Sequence, residues 1–329
     1  MLDIDPGKIP AGVEKCSSFS LRRITHAFHD IDGTHSLIRE WVPVMTLVTG
    51  FTARYGMAEG NSAAEKAAVI ARFSPEDFPE GNRFAIESAG LSALTQMEWA
   101  LRRAGENGLY PLEGSSPETN SAVVSAIWGG DEEFENYGES PAFRRKLAED
   151  ASILFKAYEL LLLAMGRDRN LADAKINPDK WRVPGSVEFL KFLHDHGVKN
   201  YFVTGAVVEY ASDGMPQGTM AEEIAALGLT PAEDGIVTRL AGSTWREKLP
   251  KEKIMLDICR KEGIEPSQLL IVGDGRSEIA AAAAMGALAM SRLDENSLRA
   301  REIHKALGTH LIVSKYDMDE LAKFMIPAE

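Results

Sequence analysis

Cysteine is nearly absent: the 329-residue chain has two, Cys16 and Cys259. Two thiols cannot staple a chain of this length, and they lack the spacing of a metal site. The fold must therefore rest on its apolar core, and a reducing, cytoplasmic setting is expected. Long apolar runs are also missing. The longest aliphatic stretches, residues 160–165 and the alanine-rich 279–290, fall short of the roughly 20 residues a membrane helix needs. The opening segment, MLDIDPGKIPAGVEK, lacks the apolar stretch of a signal peptide. Basic charge is scarce: 36 Lys and Arg stand against 49 Asp and Glu, a formal net charge of −13. Such a surface does not neutralise phosphates along a nucleic acid, so neither nucleic acid nor a membrane is an expected partner. A small anionic ligand remains compatible, because a local site can be positive on an acidic protein.

What is present is apolar residues at 45%, enough to bury a sizeable core, in a length that suits about two domains. The first twenty or so residues read as irregular. Residues 24–30 read as a strand running into the turn Asp32-Gly33-Thr34, and Ser36 is placed to cap a helix starting at Leu37. From there to about Asp179 the pattern is helical, with helices expected over 37–55, 63–73, 84–103 and 142–165 and a loop rich in Gly, Pro and Ser over 106–121. After Trp181, strands expected at 200–203, 236–240, 269–272, 287–290 and 310–313 alternate with helices, the first opened by Val183-Pro184-Gly185. That alternation implies a parallel sheet covered on both faces, an α/β core of three layers. The lone early strand belongs to the same sheet, and the helical block is an insertion. The expected domains are therefore 1–36 with 180–329 as an α/β core and 37–179 as an inserted helical domain.

Four positions carry chemistry. Asp30 and Asp32 in Phe28-His29-Asp30-Ile31-Asp32-Gly33-Thr34 stand two apart at the carboxyl end of a strand, where open α/β sheets bind ligands. Side chains two apart on extended chain face one way. Thr34 is a hydroxyl of the same turn and a candidate phosphate contact. Thr204-Gly205 ends a second apolar strand; a hydroxyl and a close backbone N–H suit a phosphate oxygen, although Thr after a strand also serves as a helix cap. Lys251 begins a helix and can neutralise a phosphoryl group; Lys248 and Lys253 compete, and spacing favours Lys251. Asp274 and Glu278 follow a further strand in Gly273-Asp274-Gly275-Arg276-Ser277-Glu278 and are hard oxygen donors of the kind magnesium prefers. Each motif alone also reads as an ordinary turn.

In order and spacing the four motifs resemble the haloacid dehalogenase-like (HAD) superfamily over residues 20–36 and 180–329. The resemblance implies a Rossmann-like core with a helical C1-type cap, Asp30 as nucleophile, Asp32 as general acid and base, and Thr204 with Lys251 as the phosphate-binding pair. It implies Mg2+ as cofactor, held by Asp30, Asp274 and the backbone carbonyl of Asp32, with Glu278 as a supporting acid. Two positions depart from the pattern: His29 stands where an apolar residue is usual, and His35 where leucine is. His26, His29 and His35 do not converge by strand spacing, so packed or hydrogen-bonded roles are expected rather than a metal cluster, with His35 kept as a residue that could touch substrate.

Such a site must bring an anionic carboxylate up to a phosphate dianion. At about 4 Å and an effective dielectric near 20 the repulsion is roughly 8 kcal/mol, about six decades in rate. A cation and Lys251 offset it. An acid at Asp32 favours phosphoryl transfer over carbon–halogen cleavage, since a halide leaves unprotonated. The expected activity is hydrolysis of a small phosphate ester, a sugar phosphate or similar metabolite, through an aspartyl-phosphate on Asp30. A phosphomutase, a phosphonate hydrolase and a non-catalytic binding protein on the same fold are the alternatives. Arg39, just past the nucleophile loop, is the candidate substrate contact from the insertion. Gln96 and Glu98 read as surface residues. A large helical insertion is compatible with a homodimer.

Overall fold

The computed structural model describes residues 1–88, 91–131, 134, 137–243 and 250–328. Among the described residues the strands are, in chain order, β1 (Leu2–Ile4), β2 (Glu14–Lys15), β3 (Arg22–Ile24), β4 (His26–His29), β5 (Lys199–Val207), β6 (Glu209–Tyr210), β7 (Pro216–Gln217), β8 (Arg239–Ser243), β9 (Leu269–Gly273), β10 (Leu288–Arg292), β11 (Leu311–Val313) and β12 (Met325–Pro327). The main sheet has the order β2-β11-β10-β9-β4-β5-β8. All its pairings are parallel except that of β2 with β11. The chain divides into two compact units: residues 1–38, 170–296 and 301–329 form one, and residues 39–169 with 297–300 the other.

In the first unit, period-two alternation sorts the sheet side chains onto two faces. Phe28, Tyr201, Val203 and Ile271 pack with Ile254, Met255 and Ile258 of helix Lys251–Glu262 and Ile279 of helix Arg276–Met285. Ala27, Leu270, Val272, Leu288 and Met290 point the other way, onto Phe189 and Leu193 of helix Ser186–Asp195 and onto Leu321 and Phe324. Phe202 and Leu240 meet Met220 and Ile224 of helix Thr219–Ala226. Strands β9 and β10 are buried at every residue, as expected of parallel strands covered on both sides. The result is the Rossmann-like three-layer α/β/α core.

Several local expectations give way to tertiary pairing. The first residues are not irregular: β1 pairs antiparallel with both β12 and β3, tying the two chain ends together, and β2 forms the edge of the main sheet. The hairpin of β6 with β7 follows directly on β5. The helix expected from Leu37 starts at Trp41 instead. Ser36 bridges to both Asp32 and Arg182, and the Leu37 N–H donates to Trp181 O (2.8 Å), so this segment is already bound as extended chain. The insertion is shorter than expected at its far end, because Asn170 Nδ2 donates to Ile38 O (2.9 Å) and Leu171 and Ala174 pack beside Ile31 in the first unit.

The second unit contains helices Trp41–Tyr55, Ala63–Ile70, Pro79–Glu87, Ala93–Glu106, Pro117–Gly129 and Pro141–Leu161. Ser62, Ser92, Ser116 and Ser140 each cap one of these helices by accepting an N–H from the first turn. The Ser-Pro pairs at 116–117 and 140–141 combine a cap with a proline where no N–H is needed. The expected single helix over 84–103 is two, the second opened by Ser92, and the expected loop 106–121 ends where Ser116 starts a helix. Gln96 is buried, its amide donating to Ser88 Oγ (2.8 Å), so it is not a surface residue; Glu98 accepts from Arg102 (2.8 Å). Arg102 also grips buried Glu139 through two bonds of 2.6 and 2.7 Å. Among the described residues, no helix is long and apolar enough to cross a membrane.

Candidate active site

Strand β4 lies between β9 and β5, with Phe28 opposite both Ile271 and Tyr201, and His29 opposite both Val272 and Phe202. The carboxyl ends of β4 and β9 therefore release Asp30 and Asp274 at one rim of the sheet, whereas Thr204 and Gly205 do not end their strand as expected: β5 runs on to Val207, and the two residues lie in the irregular stretch between its pairings with β8 at Val203 and Val207. The Asp30 N–H still donates to Val272 O (2.9 Å), so its backbone is fixed by the ladder while its side chain is not. Beyond it the chain folds sharply: Ile31 O accepts from the N–H groups of Thr34, His35 and Ser36, and Gly33 N donates to Ser36 O.

Lys251 sits at the first turn of its helix, and its ammonium donates to Asp30 Oδ1 at 2.7 Å and to Glu278 Oε1. Glu278 is fully buried, takes a further bond from Ser277 Oγ (3.0 Å), and leaves Oε2 buried without a hydrogen-bond partner. It can lie there because Gly275 has no side chain: a Cβ would stand 2.3 Å from Oε2. Gly205 borders the same ammonium, since a Cβ there would lie 3.8 Å from Lys251 Cε. Thr204 is 4% exposed and its Oγ1 accepts from the Ala206 N–H. Asp32 is part-buried. Lys253 is exposed, and Lys248 lies outside the described residues.

Burial sets the electrostatics. It pushes the Asp30 carboxyl up to about 6, against the pull of Lys251 and with the help of Glu278. It raises Asp274 well above the carboxylate range, and the charges of Asp30 and Glu278 add to that rise. For Lys251, burial acts downward, but the two carboxylates outweigh it and hold the ammonium charged. Burial likewise works against ionised Glu278, and its bond to Lys251 overcomes that, so Glu278 stays an anion.

One ammonium thus joins the buried carboxyls of Asp30 and Glu278, and part-buried Asp274 feels the charges of all three. Among the described residues, no three His, Cys, Asp or Glu side chains form a ready-made metal shell; Asp30 and Glu278 lean onto Lys251 instead. The donors nevertheless fit a hard divalent cation. They are carboxylate oxygens, they carry more negative charge than Lys251 neutralises, and their mutual repulsion is what an added cation relieves.

Two sequence expectations change. Thr34 is fully buried and its hydroxyl donates to Asp274 Oδ1 (3.1 Å), so it braces an acid and is not turned toward a phosphate. His29 and His35 do converge: both are fully buried, and His35 Nε2 lies 3.0 Å from His29 Nδ1. Strand spacing missed this because the turn after Asp30 folds His35 back under the strand. The direction of the chain follows from its end. Asn200 Nδ2 donates to Leu190 O and Ile236 O, so Asn200 Oδ1 accepts from His29 Nε2 (3.2 Å). Neutral His29 then accepts at Nδ1 from His35 Nε2, and His35 Nδ1 accepts from Ser186 Oγ (2.7 Å). Burial drives His29 down to about 4 and His35 well below its usual range, which keeps both rings neutral. His35 is fully buried, its ring packed against Tyr316 and Phe202. Arg39 is part-buried at the start of the second unit.

Arg292 and Tyr316 also belong to this region and carry no sequence signal. Arg292 Nη1 donates to Gly33 O (3.1 Å), and the Tyr316 hydroxyl donates to Thr34 O (2.9 Å). They enter from β10 and from the loop after β11, and nothing in their flanking residues marks them.

Acids at two strand ends, with a helix lysine bonded to one of them, stand at one rim of a Rossmann-like α/β core. The family model for haloacid dehalogenase-like hydrolases matches residues 30–286, and the chain belongs to that family. Among solved structures it is similar to a protein from Lactobacillus delbrueckii subsp. bulgaricus described provisionally as a phosphoglycolate phosphatase. That match has 15% identity, covers 92% of this chain and 99% of the other, and has a TM-score of 0.50. It is also similar to a protein from Clostridium acetobutylicum described as a predicted phosphatase, with 14% identity, coverage of 91% and 96%, and a TM-score of 0.48. No curated protein matches the sequence.

Proposed function

We propose that the chain is a magnesium-dependent phosphohydrolase acting on a small phosphate ester, with Asp30 as covalent nucleophile. The observation that carries this reading is the Lys251 ammonium shared between Asp30 Oδ1 and Glu278 Oε1. It holds a nucleophile and its counter-charge at one strand end in a family of hydrolases.

An Asp30 carboxylate oxygen attacks phosphorus, and the P–O bond to the leaving alkoxide breaks. Asp32 gives that oxygen its proton. Asp32 then takes a proton from water, whose oxygen attacks the phosphoryl group on Asp30; the acyl phosphate breaks, inorganic phosphate leaves, and both acids return to their starting states. Asp30, Asp274 and the Asp32 carbonyl would hold the magnesium ion, which when bound supplies neutralisation of phosphoryl charge. Glu278 is the counter-ion of Lys251. Lys251, the Thr204 hydroxyl and the Gly205 N–H hold phosphoryl oxygens in line. The helical unit inserted after the nucleophile loop is the proposed cap, with Arg39 as its substrate contact and a sugar phosphate as the expected class of ligand. The two free cysteines fit a cytoplasmic setting.

Hydrolysis of p-nitrophenyl phosphate should require added Mg2+ and stop with EDTA. Acid-quenched protein should carry one phosphoryl group on the peptide containing Asp30. Turnover with the phosphoryl group on another peptide would move the nucleophile elsewhere. A panel of phosphorylated metabolites, sugar phosphates and phosphoglycolate included, identifies the substrate, and sustained release of inorganic phosphate separates a phosphatase from a mutase.

A further inference from the structure

The turn after Asp30 spends most of its backbone groups internally, but the carbonyls of Gly33 and Thr34 point into the first unit. Two buried side chains meet them. Arg292, the last residue of β10, splits its guanidinium between Gly33 O (3.1 Å), Ser314 O (3.2 Å) and Asp294 Oδ1 (2.6 Å). Tyr316 gives its hydroxyl to Thr34 O (2.9 Å). Its ring is stacked between His35 (5.3 Å, 11°) and Phe189 (4.7 Å, 6°), and its N–H is tied to Pro184 O (3.0 Å). Tyr316 is 2% exposed and has no room to turn.

The same two loop residues touch both oxygens of Asp274. Thr34 Oγ1 donates to Oδ1 at 3.1 Å. Gly33 abuts Oδ2 so closely that a Cβ would lie 2.0 Å from it. The path from Tyr316 to Asp274 therefore runs through one residue, and so does the path from Arg292.

We infer that Arg292 and Tyr316 are positioning residues that set Asp274 against Asp30, and thereby fix cation affinity and turnover without touching substrate. The inference rests on the proposed reading of Asp30 and Asp274 as cation ligands. An unsupported loop would let Asp274 relax away from Asp30, the direction in which their repulsion already drives it. A cation bound between them would then recover less favourable contact.

The test is direct Mn2+ binding, read from the electron paramagnetic resonance of free Mn2+, alongside Mg2+-dependent p-nitrophenyl phosphate hydrolysis. Tyr316→Phe keeps both stacks and removes one oxygen. It should weaken Mn2+ binding and lower kcat by about tenfold each, the usual scale for an outer-shell partner, with KM little changed. Thr34→Val should do the same and Thr34→Ser should not. The double variant Tyr316→Phe with Thr34→Val should lose no more than either single, since both act along one path. Tyr110→Phe, which removes another buried hydroxyl, bonded to Asp150 in the second unit, should leave Mn2+ binding unchanged. Wild-type protein that binds no Mn2+ overturns the underlying reading, and this inference with it. Wild-type protein that binds Mn2+ as tightly as Tyr316→Phe and Thr34→Val do overturns the positioning role alone.

Discussion

Gly33 and Asp274 occupy one space: the glycine has φ +71°, and a Cβ on it would stand 2.0 Å from Asp274 Oδ2. A side chain is therefore excluded twice, by backbone conformation and by collision with an acid. Gly33→Ala should cost about 1–2 kcal/mol for the left-handed backbone alone, plus whatever displacing Asp274 requires. Thermal unfolding should show the loss, and phosphatase activity should fall more than the lost stability explains. Wild-type activity in that variant would mean that the position of Asp274 does not matter.

Lys251 and Asp30 should respond in opposite senses to neutral substitution. Lys251→Met leaves Asp30 and Glu278 buried without their cation, and removing one member of a buried pair typically costs about 3–5 kcal/mol. The loss should shrink at lower pH, because the acids escape by taking protons. Asp30→Asn removes a carboxylate that ionises only at about 6. The folded metal-free protein binds that proton more tightly than the unfolded chain does, so this group erodes stability as pH rises from about 4 through about 6. The variant should melt higher than wild type at pH 8 and be inactive. A lower melting temperature for Asp30→Asn at pH 8 would contradict the electrostatic picture of the site.

The buried histidines set a second pH window, with the opposite slope. His29 and His304 are both held down to about 4, chiefly by burial, against about 6.5 in the unfolded chain. The unfolded state therefore takes up protons first. Their contribution is intact above about pH 6.5 and is lost as pH falls toward 4, by about 2 kcal/mol per histidine between pH 7 and pH 5. Urea midpoints of the double variant Asp30→Asn with Asp274→Asn, in which both carboxylates of opposite slope are gone, should drop over that interval, and adding His304→Gln should flatten the drop. Equal midpoints at pH 7 and pH 5 would show that these rings protonate in place.

In the helical unit, Arg102 binds Glu139 through two bonds of 2.6 and 2.7 Å, and its side chain is 1% exposed. Arg102→Met should cost about 3–5 kcal/mol, since it strands a buried carboxylate, whereas Arg102→Met with Glu139→Leu should recover part of that. Equilibrium unfolding of the two singles and the double measures the coupling. Simple additivity would show that the pair does not act as a unit.

The acids of the candidate site were legible because their arrangement is local. Asp30 and Asp32 stand two apart just past the end of β4, Asp274 and Glu278 one helical turn apart, and both pairs follow apolar strands that can only be buried. Alternation of strands and helices after Trp181 likewise dictates a parallel sheet and places every strand end at one rim. Period and spacing are properties of the chain alone, and so the α/β/α core and the inserted helical unit follow from them.

What only the folded molecule decided is which distant groups meet. Lys251 reaches Asp30 across 221 residues because β4 lies between β5 and β9, an order no local pattern encodes. Arg292 and Tyr316 find the loop carbonyls, His35 folds back onto His29, and β1 joins β12 for the same reason. Each is a buried donor or acceptor whose partner is supplied by another layer, and a polar group in the interior is satisfied by whatever the topology places beside it, not by its neighbours in sequence.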